Sequence, residues 1–269
     1  MKSCLLSAML GILFSCTLVH AGSGITIIGG LTRYASLKPG GQAEGRILVQ
    51  NLGTEPQEVK AFLTDYLFFA DGRNLYDPPG THPRSNAAWV TFTPSQFIVP
   101  AQDTVIINYV LQVPPEEKLT GTYWSMLMVE PITTALDAPA AEKDKLKLSV
   151  QTVLRYGIQL IADIDGTGAS SVRFVRQQLV KQNDKCLLVL DIENNGERYL
   201  TPLVWAEIFD SEGASLGRFE AGRIRVYPAC SARFLIDLTQ LSTGKYSALV
   251  VADNGDEAVF GAQLKLEIP

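Results

Sequence analysis

Histidine, cysteine and methionine are scarce in this chain. Of its 269 residues, two are His, four are Cys and four are Met. His20, Cys4 and Cys16 all fall within the first 21 residues, so the remainder holds one histidine, His82, and two cysteines, Cys186 and Cys230. Most zinc sites, histidine-based triads and haem pockets are hard to build from that inventory. A basic excess is missing as well. Lys and Arg number 23 against 28 Asp and Glu, a net charge of −5, which argues against nucleic-acid binding as the main task. No apolar run after residue 21 approaches the roughly 18 residues of a membrane-spanning helix. No stretch after residue 21 shows a helical period near 3.6 either. What is present is a folded composition, 46% hydrophobic and 19% charged, at a length that suits two domains.

The first 21 residues read as a secretory signal. Lys2 supplies a short positive start, and residues 4–19 are apolar and uncharged. That stretch is too short for a confident membrane span. Val19 and Ala21 sit three residues and one residue before an expected cut, so the mature protein should begin near Gly22. A rival reading takes Leu13-Phe14-Ser15-Cys16 as a lipoprotein signal with Cys16 acylated, a pattern that Phe14 and Ser15 fit poorly.

Beyond residue 24 the chain reads as strands. Residues 24–34 are β-branched and Gly-rich. Residues 45–51 and 59–69 alternate apolar and polar, and the second run ends at the turn dipeptide Asp71-Gly72. Residues 89–92, 96–99, 104–113 and 122–129 follow, punctuated by Pro94, Pro100 and Pro114-Pro115. Residues 146–164 form a long strand pattern. The polar, Gly- and Ser-rich residues 163–171 are the best linker. Seven further runs follow, at 172–180, 186–194, 203–210, 217–226, 231–238, 246–253 and 258–268. The spacing predicts an all-β chain with two immunoglobulin-like sandwiches in tandem after a signal peptide. The expected boundaries are 1–21 for the signal, 22–165 for the first sandwich and 166–269 for the second. Residues 73–88, rich in Pro, read as an exposed insertion, and residues 136–145, charged and Ala-rich, as a second loop.

Catalytic signals are weak. His82 has Asp77 and Ser85 near it in sequence, but an exposed loop histidine is the default reading. Asp163-Ile164-Asp165-Gly166 has part of a calcium loop and lacks the remaining ligands, so a polar linker is expected and no metal. Asp65, Asp71 and Asp77 read as turn acids. Cys186 opens the second strand of the second sandwich and Cys230 precedes its fifth. Antiparallel neighbours begin at opposite ends, which puts the sulfurs on the order of 20 Å apart and predicts two free cysteines.

Four places in the first domain resemble the PapD-like periplasmic pilus chaperones. Thr32-Arg33-Tyr34 is similar to that family's Thr-Arg dipeptide in the first strand. Residues 46–51 close on Asn51, as does one of its strands. Residues 89–99 (WVTFTPSQFIV) resemble its aromatic-to-TPPLFRL segment. Residues 146–156 (LKLSVQTVLRY) resemble the strand with which it contacts its client. In the last of these, Leu146, Leu148 and Val150 fall on one face and Lys147, Ser149 and Gln151 on the other.

The resemblance implies a non-enzymatic periplasmic chaperone without cofactors. It would bind an exported pilus-type subunit by β-strand addition at the edge carrying Leu146, Leu148 and Val150. The subunit would offer an exposed hydrophobic groove and its terminal carboxylate, and Arg33 and Arg155 would hold that carboxylate in the cleft between domains. An outer-membrane usher is a second implied partner. The chain departs from the pattern in three places. Tyr156-Gly157-Ile158-Gln159-Leu160 stands where an aromatic-Tyr-Arg-Pro segment is usual, residues 73–88 are foreign to it, and the charge balance is acidic. A non-catalytic structural or adhesive module of the cell envelope, contacting its target through residues 73–88, is therefore the alternative.

Overall fold

The computed structural model describes residues 24–132 and 153–268. The signal segment, the loop at 136–145, and Leu146, Leu148 and Val150 lie outside the described residues.

Among the described residues, the first unit has ten strands: β1 (Ile25–Ile28), β2 (Thr32–Leu37), β3 (Gln42–Asn51), β4 (Gln57–Phe68), β5 (Asn74–Asp77), β6 (Val90–Thr93), β7 (Gln96–Val99), β8 (Thr104–Gln112), β9 (Gly121–Pro131) and β10 (Tyr156–Ile164). One sheet has the order β1-β3-β8-β6. The other has the order β2-β10-β9-β4-β5, with β7 also paired to β4. The opening run expected at 24–34 is thus two strands in two sheets. β1 runs antiparallel to β3, and β2 runs parallel to β10. Gly29, at φ 92°, turns the chain between them, a backbone geometry that side chains resist.

The second unit holds β11 (Val172–Gln182), β12 (Lys185–Asn194), β13 (Leu203–Phe209), β14 (Ser215–Arg223), β15 (Ser231–Asp237), β16 (Gly244–Asp253) and β17 (Val259–Ile268). Its sheets are β11-β12-β15 and β14-β13-β16-β17. The fold is all-β, and the seven runs read from residue 172 onward are its seven strands.

Alternation sets the packing. On β10, Ile158, Leu160, Ala162 and Ile164 point into the first core beside Ile47, Val49, Ile107 and Leu127. The other face of that sheet meets the second unit at one end, where Trp124 and Ile161 join the second core. The Trp124 and Tyr227 rings stack there at 4.7 Å with an interplanar angle of 9°.

Both units use the same device to end a core strand. Asn51 Nδ2 donates to the carbonyls of Glu55 and Val99, and its Oδ1 accepts from the Gly53 amide. Asn194 Nδ2 donates to Arg198 and Val226, and its Oδ1 accepts from the Gly196 amide. Each amide side chain satisfies backbone groups that the ladder can no longer pair.

Residues 73–88 depart from the expected loop. They add β5 to the edge of β4 and then fold back over Asp65, which is buried rather than an exposed turn acid. The Asp65 carboxylate accepts from the amides of Gly80 (3.2 Å) and His82 (2.7 Å) and from the hydroxyls of Thr81 and Ser85. Four donors on one buried anion hold the insertion down, which its composition does not reveal.

Candidate functional site

β10 is paired along its whole length on one side, by β9. On the other side β2 pairs with it only from Gln159 to Ile164. Among the described residues, Tyr156, Gly157 and Ile158 have no strand partner on that side. Val153 and Leu154, just upstream, are 41% and 53% exposed. A half-open edge of this kind presents unpaired amides and carbonyls to any extended chain that can reach it.

The structure does not bring Arg33 and Arg155 together, which corrects the expectation of a shared cleft. Arg33 lies opposite Leu160 on β2, so it points to the core side of the sheet. Its guanidinium donates to the carbonyls of Gly30 and Thr32. Burial raises the Tyr109 hydroxyl pKa, and the nearby Arg33 charge partly offsets that rise. Arg155 pairs with Glu130, which alternates with the core residues Leu127 and Val129 and so stands on the opposite, outer face. Five residues of β10 separate the two positions, about 17 Å at 3.3 Å per residue. The parity of the positions puts them on different faces.

The cation that does occupy the cleft is Arg225, which sequence reading missed. Its Nη1 donates to Thr32 Oγ1 at 3.2 Å and to Gln159 Oε1 at 3.3 Å, joining the second unit to β2 and β10. Gln159 Oε1 also accepts from the Tyr227 hydroxyl at 2.6 Å. The Arg225 guanidinium lies over the Tyr199 ring at 5.6 Å, and Tyr199 meets Tyr34 edge-on. Burial, with help from the Asp163 carboxylate, pushes the Tyr34 hydroxyl up to about 12. Arg225 therefore touches neutral oxygens and an aromatic face, a setting that leaves its charge available to an anion. Nothing in the run 217–226 marks it, since its partners lie 66 and 193 residues away.

Around the cleft, polar groups fix the two units to each other. Asp163 is buried, not a solvated linker acid. It accepts from Thr122 Oγ1 at 2.6 Å and faces Arg198 of the second unit at 3.4 Å. Arg84 meets Glu197 at 3.2 Å, and Thr120 Oγ1 donates to the same carboxylate. Hydrogen bonds from the Ala169 amide and Thr120, with Arg84 beside it, hold the Glu197 carboxyl below the usual carboxylate range.

No triad forms around His82. The Ser85 hydroxyl goes to Asp65, and His82 Nδ1 accepts from the Arg84 backbone amide at 3.1 Å. The imidazole packs on Trp124 at 4.9 Å, half-buried and not exposed as expected. Cys186 and Cys230 are both free and buried, at opposite ends of the antiparallel pair β12–β15, as the strand order requires.

No protein-family model and no curated protein matches the chain. Solved structures do. The chain is similar to a chaperone–tip adhesin complex of CFA/I fimbriae biogenesis, at 13% identity and TM-score 0.49, over 91% of this chain and 99% of that one. It is similar to the E. coli chaperone DraB, at 15% identity and TM-score 0.41, over 92% and 98%. A third is the CsuC–CsuE chaperone–tip adhesion subunit pre-assembly complex of archaic chaperone-usher pili from Acinetobacter baumannii, at 13% identity and TM-score 0.43, over 89% and 97%. The likeness is one of fold.

Proposed function

We propose that the protein is a divergent PapD-like periplasmic assembly chaperone that holds an exported, β-rich pilus-type subunit by strand addition at β10. Residues 22–165 form the binding domain and residues 166–269 the second sandwich, and no catalysis is involved. The observation that carries the reading is the half-open edge of β10, covered by β2 only from Gln159 onward. Leu146, Leu148 and Val150, which alternate with polar residues in the sequence, are the apolar row offered to the subunit's groove in this reading. The subunit's terminal carboxylate is taken in the cleft by Arg225, whose fork of donors suits it. Arg155 stands beside the edge as an auxiliary cation, and Arg33 acts through the backbone it caps at Gly30 and Thr32. Delivery to an outer-membrane usher is the step after capture.

The test is affinity capture from periplasmic extract, with mass spectrometry of what is retained and thermal melts in parallel. The wild-type chain should retain an exported β-rich subunit that is unstable alone. Arg225→Ala removes a charge-assisted partner, a loss of roughly 2–5 kcal/mol, and should abolish retention while the fold persists. Leu148→Asp should do the same by putting a charge into the apolar row. Full retention by both variants overturns the chaperone reading and favours a structural module.

A further inference from the structure

On the outer face of the β10-β9-β4 sheet, beyond the part covered by the second unit, runs a groove of about 660 Å³. Met126 and Met128 of β9 form its floor, both buried. Tyr76 of the inserted β5 forms a wall and is 54% exposed, and Val153, Arg155 and Gly157 line the side toward the open edge. Gly157 is what lets the floor reach β10. A Cβ at that position would collide with Met126 Sδ and press on Met128 Sδ. At the rim Glu130 is shared by Lys60, at 3.2 Å, and Arg155, so two cations face one carboxylate and the rim is net positive.

The groove and the open edge are continuous, because Arg155 and Gly157 belong to both. A strand laid against β10 places the side chain opposite Gly157 on the groove side, where β10 itself has none to offer. That side chain meets two thioethers, which adapt to irregular apolar shapes and favour aromatic edges. Two residues along, on the same face, the added strand meets Arg155. We infer that the groove reads the sequence of the strand docked on β10, selecting a large apolar or aromatic side chain opposite Gly157 with an acidic residue two positions away opposite Arg155. This rests on strand addition at β10 and adds a rule for which strands are taken.

The probe is a series of synthetic alternating peptides carrying Glu-x-Phe or Phe-x-Glu, with single changes of Phe to Ala and of Glu to Lys, titrated onto the full chain. The readout is doubled by methyl-labelled methionine spectra. The chain holds only Met1, Met9, Met126 and Met128, so the two groove signals are assigned by Met126→Leu and Met128→Leu. The parent peptide should displace both groove methyls. Phe→Ala should bind roughly tenfold more weakly, the worth of one buried apolar side chain. Glu→Lys should lose roughly two- to fivefold, as like charges face each other across the pair. Gly157→Val, whose side chain must push the Met126 and Met128 thioethers aside, should erase the preference for Phe while peptide binding persists. Equal affinity across the series, or binding that leaves the groove methyls unmoved, overturns the inference and spares strand addition. Failure of every peptide to bind overturns both. Groove methyls that respond to deletion of residues 133–152 and not to peptide assign the groove to the chain's own segment, which also overturns the inference.

Discussion

His82 has its ring against the Trp124 indole and its Nδ1 committed to a backbone amide, and both favour the neutral imidazole. Burial depresses its pKa below the ordinary 6.5, the Arg84 charge adds to that, and the Asp65 carboxylate works against it. The folded state therefore binds fewer protons here than the unfolded chain. Its contribution to stability is present above about pH 6.5 and is lost as the pH falls through the folded value. Glu197, also depressed, adds a second loss at lower pH, below the ordinary carboxylate value of 4.5. Denaturant titrations between about pH 7 and pH 5 should show falling stability. In His82→Gln that decline should flatten, and an unchanged slope would refute the assignment. The sequence showed His82 in a Pro-rich loop and nothing more. Its burial comes from Asp65, 17 residues earlier, accepting the His82 amide, and a link between a strand residue and a loop backbone leaves no periodic trace.

Strands were the legible level. Residues 104–113 read as β8 and residues 186–194 as β12 because period-two alternation with β-branched residues survives any tertiary arrangement. The division of residues 24–34 into β1 and β2 was not legible, since a strand that changes sheets keeps its composition. Arg225 was hidden for a similar reason. It follows β14 with ordinary spacing, and its meaning lies in Gln159 and Thr32. Antiparallel pairing of β12 and β15 was legible, and it decides the cysteines. The register sets Leu187 against Asp237 and Glu193 against Ser231, so Cys186 and Cys230 flank opposite ends of the ladder. Burial raises both thiols, Cys230 to about 12, which slows their oxidation and alkylation in the folded state. Alkylation in denaturant without reductant should label both peptides, and reductant should leave the melting temperature unchanged. A single cross-linked peptide would contradict the strand order.

At the scale of the whole molecule, the two sandwiches share side chains instead of merely touching. Trp124 grows from β9 yet stacks on Tyr227 inside the second core, and its Nε1 donates to the Tyr66 carbonyl at 2.8 Å. The molecule should therefore melt in one calorimetric transition. Trp124→Ala should cost about 3–5 kcal/mol, typical of a buried large aromatic, and split that transition in two. A single transition in the variant would show that the polar links through Asp163 and Glu197 suffice. The crossing of the first strands from one sheet to the other has a further consequence. Thr32 pairs with Gln159, 127 residues later. For a chain that emerges from a translocation pore amino end first, β2 arrives second and waits for the last strand of its domain. Until then the β2-β10-β9-β4 sheet of the first sandwich is incomplete, although the β1-β3-β8-β6 sheet can already form, and long-range pairings of this kind form slowly. The open edge of β10 and the bracing β2 thus come into being in one late event, so a half-emerged chain has no finished edge.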